Sequence, residues 1–174
     1  MTDSMDLKEI DRQEKIQAEI LHSFHQALKN EEFQIYFQPK VSPASGKISS
    51  AEVLVRWLRD GKMCWSPAVY IPLFEQNGFV ISLDYYVYEK TFRWLQEFSR
   101  QLPADFRISL NVSPLHFEEP ETFVKKICEL IRTYKDRPEI PWRFPYGKCK
   151  DCSSGSLPYA EAHGKIHCMR RCGN

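Results

Sequence analysis

The stretch Ile48-Ser-Ser-Ala-Glu-Val-Leu-Val-Arg-Trp57 sets an acid and a base among apolar neighbours. Read as a β-strand, it turns Val53, Val55 and Trp57 to one side and Glu52, Leu54 and Arg56 to the other, because side chains alternate along a strand. An acid and a base are costly to bury unpaired, so the second face is expected to look into a polar cleft. There Glu52 suits a metal ion and Arg56 an anion. A Glu52–Arg56 pair on an exposed sheet face is the plainer alternative. Asn111, near the end of a second strand-like run, is a neutral oxygen donor suited to the same metal. Its alternative is to cap a turn toward Ser113. Gln38, just before Pro39, reads as a residue that satisfies backbone groups.

A second group with chemical potential lies far from the first. Cys149-x-x-Cys152 and Cys168-x-x-x-Cys172 approximate a four-thiolate zinc site, with His163 and His167 as spare ligands. The second pair carries one residue more than the usual knuckle. The alternative is that this tail is a shifted reading frame with no site at all. Cys64 and Cys128 sit among apolar residues and are expected to be buried thiols.

The elements that must position these groups can be read from periodicity. Residues 7–30 carry Ile16, Ile20, Leu21, Phe24, Ala27 and Leu28 at helical spacing, with polar residues elsewhere. Phe33–Gln38 alternates as a strand, and Pro39 is expected to end it by removing a donor. Pro43-Ala-Ser-Gly46 makes a turn into the Glu52 strand, a connection short enough for an antiparallel hairpin. Ser66-Pro67 starts a helix with a capping hydroxyl and a first-turn proline. Asn77-Gly78 ends that helix, and Pro72 inside it should bend or shorten it. Another helix begins near Ser82 or Leu83 and runs to about Gln101, burying Val87, Tyr88, Phe92, Leu95 and Phe98. Phe106–Val112 is a third strand, with Arg107, Ser109 and Asn111 on one face. Pro120 opens a helix that buries Phe123, Ile127, Leu130, Ile131 and Tyr134 and ends at Lys135–Pro138.

The order strand, strand, helices, strand, helix is the opening of an α/β barrel. From Pro138 the character changes. Pro138, Pro141, Pro145 and Pro158 interrupt any central ladder, and residues 138–174 are expected to be an irregular, cysteine-rich tail.

Four blocks together resemble the first half of an EAL domain, the cyclic di-GMP phosphodiesterase family. They are Phe33-Gln-Ile-Tyr-Phe-Gln-Pro-Lys-Val41, the Glu52-Val53-Leu54 triplet with its flanks, Trp65–Glu75, and Ile108-Ser-Leu-Asn-Val-Ser-Pro114. Val53 stands where the family's name has alanine. The resemblance covers roughly residues 25–137. It implies an incomplete TIM-like (β/α) barrel carrying its first three strands and their helices, preceded by an amphipathic helix. The division expected is residues 1–30 as a connector helix, 31–137 as a partial EAL domain and 138–174 as a non-homologous tail. EAL domains often follow a GGDEF domain through such a helix.

The resemblance also implies an activity: metal-dependent hydrolysis of cyclic di-GMP to linear pGpG with Mg²⁺ or Mn²⁺. Glu52 and Asn111 match metal-ligand positions, and Gln38, Leu54 and Arg56 match positions lining the nucleotide pocket, with Arg56 on phosphate. The family's other metal ligands are a Glu on the fourth strand and the acids of an Asp-Asp-Phe-Gly block on the fifth, and its catalytic Lys and a further Glu follow. This sequence has no Asp-Asp pair, and Glu139 between its prolines matches the fourth-strand acid poorly. The chain alone is therefore expected to be inactive, with no catalytic set complete and no divalent ion held firmly. The alternative reading is a non-catalytic interaction or regulatory module pairing with another EAL or GGDEF-EAL chain through the N-terminal helix and the open barrel edge.

Composition narrows the partners. The chain of 174 residues has 24 basic and 23 acidic residues and a net charge of +1, a balance in which nothing argues for nucleic acid or a charged membrane surface, and no nucleic-acid partner is expected. No apolar run is long enough to span a bilayer, and the polar start Met-Thr-Asp-Ser-Met-Asp does not read as a signal peptide. A cytoplasmic protein with reduced cysteines is the expectation.

Overall fold

The computed structural model describes residues 3–103, 106–134 and 165–169, with side chains over 9–103 and 106–134. The elements are α1 (Asp3–Lys29), β1 (Phe33–Val41), β2 (Ile48–Arg59), β3 (Lys62–Trp65), α2 (Pro67–Gln76), α3 (Phe79–Phe98), β4 (Arg107–Asn111), α4 (Pro120–Tyr134) and β5 (Lys165–Met169). Short 3-10 turns occupy Ser99–Gln101 and Pro114–Phe117. The strands form one sheet in the order β1-β2-β4-β5, with β3 paired to β2. Helices accompany a mixed sheet, in which β2 and β4 pair in parallel and β2–β3 and β4–β5 antiparallel.

The chain groups into two compact units, one of Met1–Gln34 with Val55–Val80, the other of Ile35–Leu54 with Ile81–Asn174. The first unit has an aromatic core. Phe24, Phe33, Trp57, Tyr70 and Phe74 are all fully buried, and the Phe24 ring stacks on Phe79 with centroids 4.7 Å apart. Phe74 touches Phe24, Phe33, Trp57, Tyr70 and Phe79. α1 supplies Ile20, Phe24 and Ala27 to this core, whereas residues 9–15 are exposed on every face.

Glu32 organises the polar edge of the same unit. Its Oε2 accepts from Trp57 Nε1 at 2.9 Å and from Arg59 Nε at 3.2 Å. Burial alone would raise its carboxyl, but hydrogen bonds from Trp57, Asn30 and Arg59, with the Arg59 charge, bring it below the usual carboxylate range.

The second unit packs α3 and α4 around β4. Leu83, Val87, Tyr88, Phe92 and Leu95 of α3, Ile108 and Leu110 of β4, and Phe123, Ile127 and Leu130 of α4 are buried. β2 and β4 run parallel, with Ser50, Ala51 and Glu52 opposite Arg107, Ile108 and Ser109. β1 and β2 are neighbours joined by residues 42–47, where Ser42 N donates to Lys47 O at 2.8 Å. A connection that short joins antiparallel strands.

Several boundaries differ from the sequence reading. β1 continues through Pro39 to Val41; it lies at the end of the sheet order, and an end strand tolerates a residue without an N–H. The Asp60-Gly61 turn, with φ of 51° and 74°, folds β3 back on β2, a hairpin the sequence reading did not place. Positive φ at both centres marks a type I′ turn. Ser66 is the N-cap of α2 but makes no side-chain cap bond; its carbonyl accepts from Val69 and Tyr70 instead. α3 begins at Phe79, earlier than Ser82, because Asn77 Oδ1 accepts from Phe79 N at 3.1 Å and Gly78 takes the turn at φ 79°. Phe98, Ile131 and Tyr134 are half-buried rather than core. Cys64 and Cys128 are half-buried rather than buried. β5 lies inside the segment expected to be irregular.

Candidate functional site

β2 and β4 bring together the two residues that the sequence singled out as oxygen donors. Glu52 stands opposite Ser109 in the parallel register. Asn111 lies two positions further along β4, on the same face, since side chains repeat every second residue. Asn111 Nδ2 donates to Glu52 Oε1 at 3.3 Å. Asn111 therefore uses its side chain across the sheet, toward β2.

The other Glu52 oxygen has a partner that the sequence reading missed. Lys40 Nζ donates to Glu52 Oε2 at 2.6 Å. The Glu52 side chain is 15% exposed and that of Lys40 42%, so the pair sits in a polar rim rather than a dry core. The signal was present: Lys40 is two residues past Gln38 on the same strand face, and the short turn at residues 42–47 fixes which β2 residue it meets. Gln38 is exposed and Leu54 half-buried. Arg56 belongs to the other compact unit, and its Nη1 donates to Val55 O at 2.8 Å.

The end of β4 is held by α3. Tyr88 Oη donates to Asn111 O at 2.9 Å, and burial pushes the Tyr88 hydroxyl well above its ordinary value. Just beyond, Asp84 Oδ2 accepts from Ser113 N at 3.1 Å and lies 3.0 Å from His116 Nε2. Ser113 Oγ accepts from Leu115 N, which starts the 3-10 turn. These bonds fix where β4 stops and where the Asn111 side chain leaves the backbone. Among the described residues, no three of His, Cys, Asp and Glu cluster closely enough to hold a metal ion. Cys149, Cys152 and Cys172 lie outside the described residues, as do His163 and Glu139. Cys168 and His167 lie within β5.

A parallel strand pair linked through helices, with an acid and an amide meeting beside the end of its second strand, defines an α/β chain with a polar site at a strand terminus. The chain belongs to the EAL domain family, whose sequence model matches residues 21–141. An uncharacterized Synechocystis protein is 34% identical over 111 residues, which cover 64% of this chain and 16% of that protein. A probable cyclic di-GMP phosphodiesterase of Escherichia coli, PdeG, is 31% identical over 64% of this chain and 22% of its own length. The chain thus spans under a quarter of these relatives. Among solved structures, the PaMucR phosphodiesterase in complex with c-di-GMP aligns with a TM-score of 0.61 and 25% identity, over 70% of this chain and 49% of that one. A FimX EAL domain, at 20% identity and a TM-score of 0.58, shares the fold. No helix among the described residues is long and apolar enough to cross a membrane.

Proposed function

We propose that this chain carries the nucleotide-facing opening of a cyclic di-GMP phosphodiesterase, an incomplete EAL barrel, and does not by itself complete the hydrolytic centre. The observation that supports this reading is the Glu52–Asn111 contact at 3.3 Å, between the two residues that it takes as metal ligands. Gln38 and Leu54 line the nucleotide in this reading.

The donor set does not fit a firmly held Mg²⁺ or Mn²⁺. Such ions want about six oxygen ligands, and among the described residues one carboxylate and one amide meet here. That carboxylate already meets the Lys40 ammonium on one oxygen and the Asn111 amide N–H on the other. In the family, the metal ions supply an activated water and charge neutralisation at the phosphate. With no Asp-Asp pair in the sequence, no hydrolytic step can be built from these residues.

The test is turnover by the purified 174-residue chain with Mg²⁺ or Mn²⁺, following linear pGpG by chromatography. The expected result is no product above the metal-only control. Sustained cleavage, lost on Glu52→Gln, would overturn the reading.

A second reading, a non-catalytic module that pairs with another EAL or GGDEF-EAL chain, is favoured by residues 9–15 of α1, which are exposed on all faces. Light scattering tests it. A mixed complex with an EAL partner that is lost when residues 1–15 are removed supports it, and separate monomers at high concentration count against it.

A further inference from the structure

β5 runs antiparallel along the edge of β4 opposite β2. Arg107, Ile108, Ser109, Leu110 and Asn111 face Met169, Cys168, His167, Ile166 and Lys165 in an unbroken register. This is the edge along which a βα barrel would add its next parallel strand, since β2 and β4 are themselves parallel. An uncovered edge presents unpaired N–H and C=O groups that template pairing with another chain. From this geometry we infer that Lys165–Met169 is a built-in edge cap. It occupies the outer edge of β4, satisfies that strand's outward backbone groups and keeps β4 itself from pairing with a strand of a second molecule. The reversed direction matters, because an antiparallel strand cannot stand in for the barrel's next parallel one. The inference is independent of any reading of the catalytic chemistry.

Two measurements on the full chain test it. The first compares amide hydrogen exchange at residues 107–111 in the native sequence and in an I166P/H167P variant. Two consecutive prolines remove a ladder donor whichever phase faces β4. Every second amide of β4 is expected to exchange about tenfold faster or more in the variant, while the amides turned to β2 keep their protection. The variant is also expected to self-associate in light scattering. Unchanged exchange at all five amides overturns the inference.

The second measurement covers a variant that loses its fold more widely. Opposed residues alternate between close and wide pairs, so both phases are probed by disulfide formation under mild oxidation. One probe is R107C with M169C in a background whose native cysteines are serine. The other is I108C with the native Cys168 and all other cysteines replaced. At least one is expected to cross-link within the chain, while an R107C/K165C control is not. Failure of both, or equal linking of the control, overturns the register and the cap with it.

Discussion

Lys40 Nζ and Glu52 Oε2 meet at 2.6 Å between neighbouring strands. The pair is half open to water, so its contribution is modest, about 0.2–1 kcal/mol after screening. A double-mutant cycle of Lys40→Met and Glu52→Gln, read by urea unfolding, is expected to return a coupling in that range at low salt. Coupling should fall further at high salt. A value of several kcal/mol would mean that the pair is sealed from water.

Acid should weaken the first unit through Glu32. Its carboxyl is lowered on folding, so the folded chain binds its proton less readily than the unfolded one. The stability this contributes is fully present above the unfolded value of about 4.3 and is lost as pH falls through the lower folded value. Glu32→Gln is expected to flatten the acid limb of stability against pH while lowering stability at neutral pH. Parallel acid limbs for both proteins would show that Glu32 does not carry the effect.

Asp84→Ala should destabilise by about 2–3 kcal/mol, because Ser113 N–H and the buried His116 ring nitrogen both lose their partner. Asp84→Asn retains an amide oxygen as acceptor and should lose less. Chemical denaturation of the two variants measures the difference, and equal losses would assign the effect to charge rather than to the hydrogen bonds.

Phe74→Ala removes a fully buried ring that touches five other aromatic rings. The expected loss is about 3–5 kcal/mol. Phe74→Leu keeps most of the volume and should lose clearly less. Thermal melts of both variants check the order.

The helices were legible because their apolar positions repeat strongly: Ile20, Phe24 and Ala27 are buried as the spacing predicts. The alternation of β2 was equally plain, with Ala51, Val53 and Trp57 inward. What escaped depends on which strand neighbours which. Pro39 reads as a strand end until β1 is known to close the sheet order. Lys40 reads as a solvated lysine until the hairpin register sets it against Glu52. The β3 hairpin did have a local signal, Asp60-Gly61, flanked by Arg59 and Lys62 rather than by apolar residues. The pairing of β5 with β4 is a contact between residues far apart in sequence, which periodicity does not encode.

The two compact units each hold an indole of their own. Trp57 is sealed among Phe33, Tyr70 and Phe74, and Trp94 lies against Phe37 with centroids 4.2 Å apart. Variants that keep one and replace the remaining tryptophans with phenylalanine would give each unit a separate fluorescent gauge. Coincident emission curves on heating would then mean a single cooperative melt, and displaced curves two.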